Sequence, residues 1–340
     1  RFGHRCVLLS ACKLGLLAST LALLLPSQWL ISFFITVFIL ACAITSLRIC
    51  ALPYLAVLKN QANYAHSISF YLAFDTIGAI LAPLVSNYLL FQTSHSWIQY
   101  LQLPSQASML FILLSCCFSF ALLWAQSSIH ADAHHQRDTF SVSNLCDTLR
   151  DNDIIYGFIA LFLFVGVEFG VVNALIYHIY NILNYTHSFC LTIVSFYWTQ
   201  MLLGRILVSS YASIFSDRIL LLAPMSSAFI CCIGYFILPA DYAWYALLAL
   251  GACNSSLYPS IYGVFTRNIS MEKQHYASCI CLMATSGGAL IPLALSQTLG
   301  QSLVNFVILG GTYLLLATIV YLHTQQPRFY STQSYQLIDS

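Results

Sequence analysis

The heptapeptide GAILAPL at residues 78 to 84 returns in the second half of the chain as GGALIPL at residues 287 to 293. The two copies align Pro83 with Pro292. A proline inside an otherwise helical apolar segment marks a place where the helix can bend. The match therefore raises the question of whether the chain consists of two related halves.

Two further matches occur in the same order along the chain. RCVLL at residues 5 to 9 resembles RILLL at residues 218 to 222, and Pro53 aligns with Pro259 at nearly the same spacing. Any one of these matches could arise by chance among short apolar segments, but three matches in a constant order indicate an internal duplication. We therefore predict two halves with a similar succession of helices.

The composition places this duplicated chain in a lipid bilayer. Of its 340 residues, 59% are hydrophobic and only 7% are charged, against roughly a quarter charged in ordinary soluble domains. The mean hydropathy is +0.80, and the net charge of +1 gives no general affinity for nucleic acid. We predict an integral membrane protein that has the lipid bilayer as a partner and does not bind nucleic acid.

Ten apolar segments are long enough to cross the bilayer as helices, which takes about 20 residues each. They predict an all-α polytopic membrane protein with ten transmembrane helices. The predicted spans are 6–25, 29–57, 67–91, 105–125, 154–181, 189–214, 219–238, 241–265, 276–299 and 303–323.

The basic residues support this count, because cytoplasmic loops of membrane proteins collect Lys and Arg. If successive loops alternate sides, nine basic residues fall on one side and none on the other, which predicts that both termini are cytoplasmic. The nine residues are Arg1, Arg5, Lys59, Arg137, Arg150, Arg218, Arg267, Lys273 and Arg328.

The predicted spans divide unequally between the two halves. Residues 1–125 form a partial N-terminal bundle of four spans, 126–153 a cytoplasmic linker, 154–325 a C-terminal bundle of six spans, and 326–340 a cytoplasmic tail. Two spans precede RILLL in the second half, whereas none precedes RCVLL in the first. We therefore expect a plan of six plus six spans from which two helices are absent, the plan of one large class of secondary transporters.

The 13 cysteines occur singly or as adjacent pairs in apolar segments, without the spacing of a zinc or redox site, and are interpreted as small apolar side chains. His130, His134 and His135 of the linker could bind a metal weakly, but a solvated polar linker explains them better. The sequence contains no recognisable nucleophile, metal cluster or phosphate-binding loop. We predict that the chain is not an enzyme and that it needs no cofactor or metal.

Four longer segments carry a resemblance to a known family: FLFVGVEFGVVNALI at 162–176, FYWTQMLLGRILVSS at 196–210, GACNSSLYPSIYGVF at 251–265 and ATSGGALIPLALSQTLG at 284–300. Each resembles, in the right order, the fucose permease and glucose/galactose transporter branch of the major facilitator superfamily. The resemblance implies the superfamily fold, alternating access and proton-coupled uptake of fucose, glucose or galactose. We also predict a monomer in the bacterial inner membrane.

Two positions depart from the pattern of that branch. Its fourth helix carries a glutamate and an asparagine before a proline, where this chain reads LRICALP with Arg48 and Leu52 in their places. In the next helix the branch usually has an asparagine before a Gly-Ala pair, where this chain has Asp75. The coupling carboxylate of the family is therefore lost at one position, while a carboxylate is present at a neighbouring one.

Arg48 and Asp75 are predicted to lie level on consecutive antiparallel helices. Counting 1.5 Å per residue from the predicted cytoplasmic ends gives depths of roughly 16 and 14 Å. We expect an ion pair in which the guanidinium offers its fork to the carboxylate, because a charge near the bilayer centre needs a partner. Either the substrate or the proton competes for this pair, or the pair only neutralises two charges.

Glu168 is predicted somewhat past mid-depth of the fifth span, about 22 Å from its start. Its position agrees with a glutamate of the resembled family in the pattern VGxE. A carboxylate in apolar surroundings can exchange protons near neutrality, so Glu168 is the favoured proton-linked residue. A hydrogen-bonded structural carboxylate is the alternative.

A set of amides and aromatic rings fits a sugar-sized site, since amides bind hydroxyl groups and flat rings cover apolar sugar faces. Asn254 and Tyr258 are four residues apart, which predicts one shared face of the eighth span, and the fifth span repeats this spacing. Ordinary packing explains any one of these residues equally well. The predicted substrate-binding residues are Asn173, Tyr177, Trp198, Gln200, Asn254 and Tyr258.

The resemblance also implies cytoplasmic gating loops in both halves. The predicted gating residues are Arg5, Arg205, Asp217 and Arg218.

The sequence thus favours a proton-driven transporter of a monosaccharide or similar small polar solute. Two alternatives stay open: an acidic solute, because Arg48 replaces an anionic residue, and a non-transporting remnant or regulatory membrane protein. Two in-frame apolar segments encoded upstream of Arg1 would favour a full transporter.

Overall fold

The first half of the chain forms four long helices. This is the arrangement expected in lipid, because a helix satisfies its own backbone amides and carbonyls. The computed structural model describes residues 4–24, 30–58, 64–92, 107–128, 141–211, 216–266, 269, 271–298 and 300–325. The helices of the first half are α1 (His4–Leu24), α2 (Leu30–Leu58), α3 (Tyr64–Asn87) and α4 (Ala107–Ser128).

A short helix, α5 (Val142–Leu149), precedes the second half. The helices of the second half are α6 (Asn152–Tyr177), α7 (His187–Tyr211), α8 (Asp217–Ile237), α9 (Ala240–Asn254), α10 (Leu257–Thr266), α11 (Met271–Met283), α12 (Gly287–Ser296) and α13 (Ser302–Gln325). Two π-helical turns, Tyr88–Gln92 and His178–Ile182, extend α3 and α6, and a 3-10 turn, Ala284–Ser286, joins α11 to α12.

Nine of the ten predicted spans coincide with stretches that are long and apolar enough to cross a membrane, within the part of the chain that the structure describes. The exception is the predicted eighth span, 241–265. A turn at Ser255 and Ser256 divides it into α9 and α10, so the prediction of one continuous helix is wrong. Pro259 accounts for the break, because it has no N–H to donate to the carbonyl of Ser255 four residues earlier.

The segment predicted as a linker is partly helical, since it contains α5. The Ser141 hydroxyl caps α5 by accepting from the Asn144 amide at 3.3 Å, and the Ser141 amide donates to the Tyr276 hydroxyl of α11 at 2.9 Å. α5 is therefore docked on the second half. The linker histidines at 130, 134 and 135 and the tail 326–340 lie outside the described residues.

The core of the molecule lies in the second half, around α6. Leu161, Phe164 and Leu175 of this helix are fully buried. Close approach is possible because Gly287, where α12 begins, has no side chain: a Cβ there would overlap the carbonyl oxygen of Phe162. Gly287, the first residue of the repeated segment GGALIPL, thus lets α12 pack directly on the backbone of α6.

The helix pair α3 and α7 joins the two halves. The Ser195 hydroxyl of α7 donates to the Ile80 carbonyl of α3 at 3.0 Å, and the Asn87 amide of α3 donates to the Ser188 carbonyl of α7 at 3.5 Å. Rising positions on α3 therefore meet falling positions on α7, so the two helices are antiparallel. This packing brings the helix that carries Asp75 against the second half.

Candidate functional site

Arg48 and Asp75, predicted to be neighbours, are in contact. Nη2 of Arg48 on α2 donates to Oδ1 of Asp75 on α3 at 2.9 Å and to Oδ2 at 3.1 Å. Their side chains are 43% and 41% exposed, so protein encloses the pair only partly. The contact is as expected, while a role in coupling stays a prediction.

Glu168 lies on α6 with 7% of its surface exposed. Its carboxylate lies within electrostatic range of Arg205, Asp75 and Arg48. These four residues, which we term the charged cluster, come from α2, α3, α6 and α7. The cluster is formally neutral when both carboxylates are ionised, because an arginine keeps its charge in proteins.

Arg205 is buried inside α7, with 7% exposure, within the predicted sixth span. Its predicted gating role stays a prediction. Its Nη1 donates to the carbonyl of Leu72 at 2.7 Å and to the hydroxyl of Thr76, both on α3. Its Nε donates to the carbonyl of Ser255, in the break between α9 and α10, at 3.3 Å. One side chain therefore binds the first half and the broken helix of the second half.

The residues around this break explain the contact. Because Pro259 leaves the Ser255 carbonyl without its usual helical donor, that carbonyl can accept from Arg205. Gly204 lets α7 come close enough, since a Cβ there would overlap the side chain of Ser255. The sequence singled out Arg205 and Pro259 separately, but it did not indicate that Arg205 would donate to the carbonyl that Pro259 leaves without a helical donor.

Asn254 is fully buried, and protein groups occupy both ends of its amide. Nδ2 donates to the hydroxyl of Tyr197 at 2.9 Å, and Oδ1 accepts from the hydroxyl of Tyr313 at 2.7 Å. Tyr258 is 9% exposed, and its ring centroid lies 6.5 Å from that of Phe164. The turn at 255–256 separates the two helices that carry Asn254 and Tyr258, so the continuous face predicted for them is interrupted.

Two of the predicted sugar contacts lie on adjacent helices at a more open surface. The ring centroid of Trp198 on α7 lies 6.1 Å from that of Phe169 on α6, and the exposed Asn173 follows Phe169 by one helical turn. Gln200 is two residues from Trp198 and so points to a different side of α7. Tyr177 is half-buried at the end of α6. The structure therefore places Trp198 against Phe169, one helical turn from Asn173, and leaves Gln200 on another side of α7.

The other predicted gating residues lie near helix ends. Arg5 is in the first turn of α1, and Asp217 is the first residue of α8. The guanidinium carbon of Arg218 lies 5.9 Å from the centroid of the Tyr321 ring of α13, a cation–π contact. This contact links α8 to α13, and the gating role of these residues stays a prediction.

The described residues contain no group of three or more His, Cys, Asp or Glu side chains placed to hold a metal ion. An apolar groove between α3 and α4 is lined by side chains such as Leu84, Leu89, Met109 and Ile112. This lining lacks the amides and charges that a sugar site needs. We therefore take as the candidate site the charged cluster together with Asn173 and Trp198, which lie on α6 and α7, the helices that carry Glu168 and Arg205.

Comparison with known families identifies the class of protein. The sequence matches the Major Facilitator Superfamily over residues 1–293. The chain therefore belongs to this superfamily, which places it among membrane transporters and not among enzymes.

Curated relatives come from bacteria. The chain is similar to the glucose/galactose transporter of Brucella abortus biovar 1 (strain 9-941), 23% identical over 276 residues, which are 77% of this chain and 65% of that protein. It is 25% identical over 267 residues to a putative glucose/galactose transporter of Helicobacter pylori (strain ATCC 700392 / 26695), covering 75% of this chain and 63% of that protein. The chain thus spans less than two thirds of the length of these relatives.

Solved structures show the same fold. The E. coli fucose:proton symporter superposes with a TM-score of 0.75 at 17% identity, covering 94% of this chain and 84% of that one. The same transporter in the outward conformation gives a TM-score of 0.73 at 18% identity, covering 94% and 83%. At such identities the likeness concerns the fold alone.

Proposed function

We propose that this chain belongs to a proton-coupled symporter that moves a monosaccharide, such as glucose, galactose or fucose, across the bacterial inner membrane by alternating access. The charged cluster carries the proposal. It unites two carboxylates and two arginines at the junction of two apolar helix bundles. A charge at the bilayer centre costs about 2.5 kcal/mol or more, and charges kept there mark pathways for ions or substrates.

Glu168 is the residue to which we assign the coupled proton. Asp75 already accepts two hydrogen bonds from Arg48, so Glu168 is the carboxylate of the cluster that remains for proton exchange. A proton bound to Glu168 leaves the cluster with a net positive charge beside Arg205. This change of charge gives the proton a means of favouring one arrangement of the bundles over another.

A neutral sugar is the proposed solute for two reasons. The bacterial relatives are named as glucose/galactose transporters, and Asn173 and Trp198 offer an amide and an aromatic ring on adjacent helices. Arg48 is engaged with Asp75, which favours a neutral solute over an acidic one. We further propose that the chain crosses the membrane ten times, with four spans in the first bundle and six in the second. Both termini are cytoplasmic and the protein is a monomer in this proposal.

Solute counterflow tests the function. The protein is expressed from its own gene and reconstituted in vesicles. The vesicles are loaded with one unlabelled solute at a time from a panel of monosaccharides and sugar acids. We expect exchange of a labelled monosaccharide, and accumulation when an inward proton gradient is applied. Exchange of sugar acids alone would identify the acidic-solute alternative. Folded protein that exchanges none of them would instead be a non-transporting membrane protein.

A further inference from the structure

We infer that Arg205 is a positioning residue that fixes the place of α3, the helix that carries Asp75. It does so by holding α3, one residue from Asp75, against the break between α9 and α10 in the second half. This inference rests on the proposed symport, because the position of α3 matters for transport only if the charged cluster takes part in it. Arg205 itself is assigned no contact with solute or proton.

The first step is the hold on α3. Leu72 and Thr76, whose oxygens accept from Nη1 of Arg205, lie on either side of Asp75 in the sequence. The Thr76 hydroxyl itself donates to the Leu72 carbonyl at 2.6 Å, so the two acceptors form one buried unit. A slip of α3 by one residue would turn both acceptors away from the guanidinium. Arg205 therefore selects one register of the helix that carries Asp75.

The second step is the hold on the broken helix. Ser255 is 2% exposed, and its carbonyl accepts from Nε of Arg205. The planar guanidinium keeps Nε and Nη1 in a fixed geometry. The position of α3 is therefore tied rigidly to the backbone at the break, and a flexible ammonium could not make this connection.

The third step is charge. Arg205 lies within electrostatic range of both Glu168 and Asp75, so its positive charge helps to offset both carboxylates. The same side chain thus orders the backbone beside one carboxylate and offsets the charge of the other.

Hydrogen–deuterium exchange of the full-length protein in lipid nanodiscs tests the inference. In Arg205→Gln we expect backbone amides around residues 72–80 and 255–260 to exchange about tenfold faster, because charged hydrogen bonds to both segments are lost. Amides of α4 and α8 should exchange at the wild-type rate. Equal exchange in variant and wild type, or acceleration throughout the protein, would overturn the inference.

Variants at Thr76 separate positioning from general stability and keep the test available if Arg205→Gln does not fold. Thr76→Val removes one acceptor and should accelerate exchange in α3, whereas Thr76→Ser retains a hydroxyl and should restore protection. Thr199→Val is the matched control, because the Thr199 hydroxyl bonds to Ser195 within its own helix. Equal exchange in the valine and serine variants at Thr76 would contradict the inference.

Arg205→Lys asks whether charge alone suffices. One ammonium is expected to protect α3 or the break, but not both, so full protection of both segments would overturn the positioning role. These measurements need no solute. A failed exchange result with intact sugar counterflow would therefore refute the inference and leave the proposed function standing, and the reverse pattern would do the opposite.

Discussion

Nη2 of Arg48 lies 2.9 and 3.1 Å from the two carboxylate oxygens of Asp75, so residues 27 positions apart meet at one level between α2 and α3. In lipid neither charge is tolerated well alone. The two residues are therefore expected to depend on each other.

Exchanging the two charges tests this dependence. Arg48→Asp and Asp75→Arg alone each place two like charges together, and each should lower the free energy of unfolding by about 2.5 kcal/mol or more. The double variant restores the pair and should recover most of the loss. Thermal unfolding of purified protein in detergent measures the effect. A double variant as unstable as either single variant would argue against the pair.

Replacing Glu168 by glutamine tests proton coupling. Glu168→Gln removes the site for the proton but keeps a polar side chain of similar size, so sugar counterflow should continue. Accumulation driven by a pH gradient should fall to the level of protein-free vesicles. Glu168→Asp, which retains a carboxylate, is the control and should keep some accumulation. An unchanged pH dependence of uptake in Glu168→Gln would refute the assigned role.

Asn254 is expected to stabilise the core and not to bind the solute, because two tyrosine hydroxyls occupy its amide. Asn254→Leu leaves both hydroxyls without this partner and should cost about 1–3 kcal/mol for each. Adding Tyr197→Phe and Tyr313→Phe removes the orphaned hydroxyls and should recover part of the stability. Thermal unfolding with and without sugar provides the measurement. Normal stability combined with lost sugar binding in Asn254→Leu would instead support the predicted binding role of Asn254.

Gly204 is expected to tolerate no side chain. In Gly204→Ala the added Cβ overlaps Ser255 and should destabilise the protein by about 1–3 kcal/mol. Gly263→Ala is a matched control in the neighbouring α10, where nothing lies within 4 Å of the new Cβ. That change should be neutral or slightly stabilising. Equal melting temperatures for the two variants would disprove the close approach of α7.

The helices and the Arg48–Asp75 contact were predictable from local information. Twenty apolar residues in succession mark a span, and two charges at equal depth on consecutive antiparallel helices have little choice of partner. The break of the predicted eighth span was harder to predict. Pro259 signals a missing backbone hydrogen bond, but Pro53 at the matching position lies within the continuous α2.

Contacts between distant helices could not be predicted in the same way. Arg205 meets Thr76 across 129 positions, and Asn254 meets Tyr197 across 57. Helical periodicity gives the side of a helix on which a residue lies, but it does not say which other helix packs there. For this reason the contacts of Arg205 with α3 and of Asn254 with Tyr197 were not predicted, and the gating role of Arg205 and the binding role of Asn254 stay predictions.

The break at Ser255 also constrains how this protein can diverge. A proline at 259 leaves a carbonyl that only a donor from elsewhere can satisfy, and Arg205 is that donor. Restoring an amide at 259 would supply a helical donor and make Arg205 dispensable for this oxygen, whereas losing Arg205 would leave the oxygen without a donor. Among homologous sequences, the proline in one helix and the arginine in another should therefore be gained and lost together.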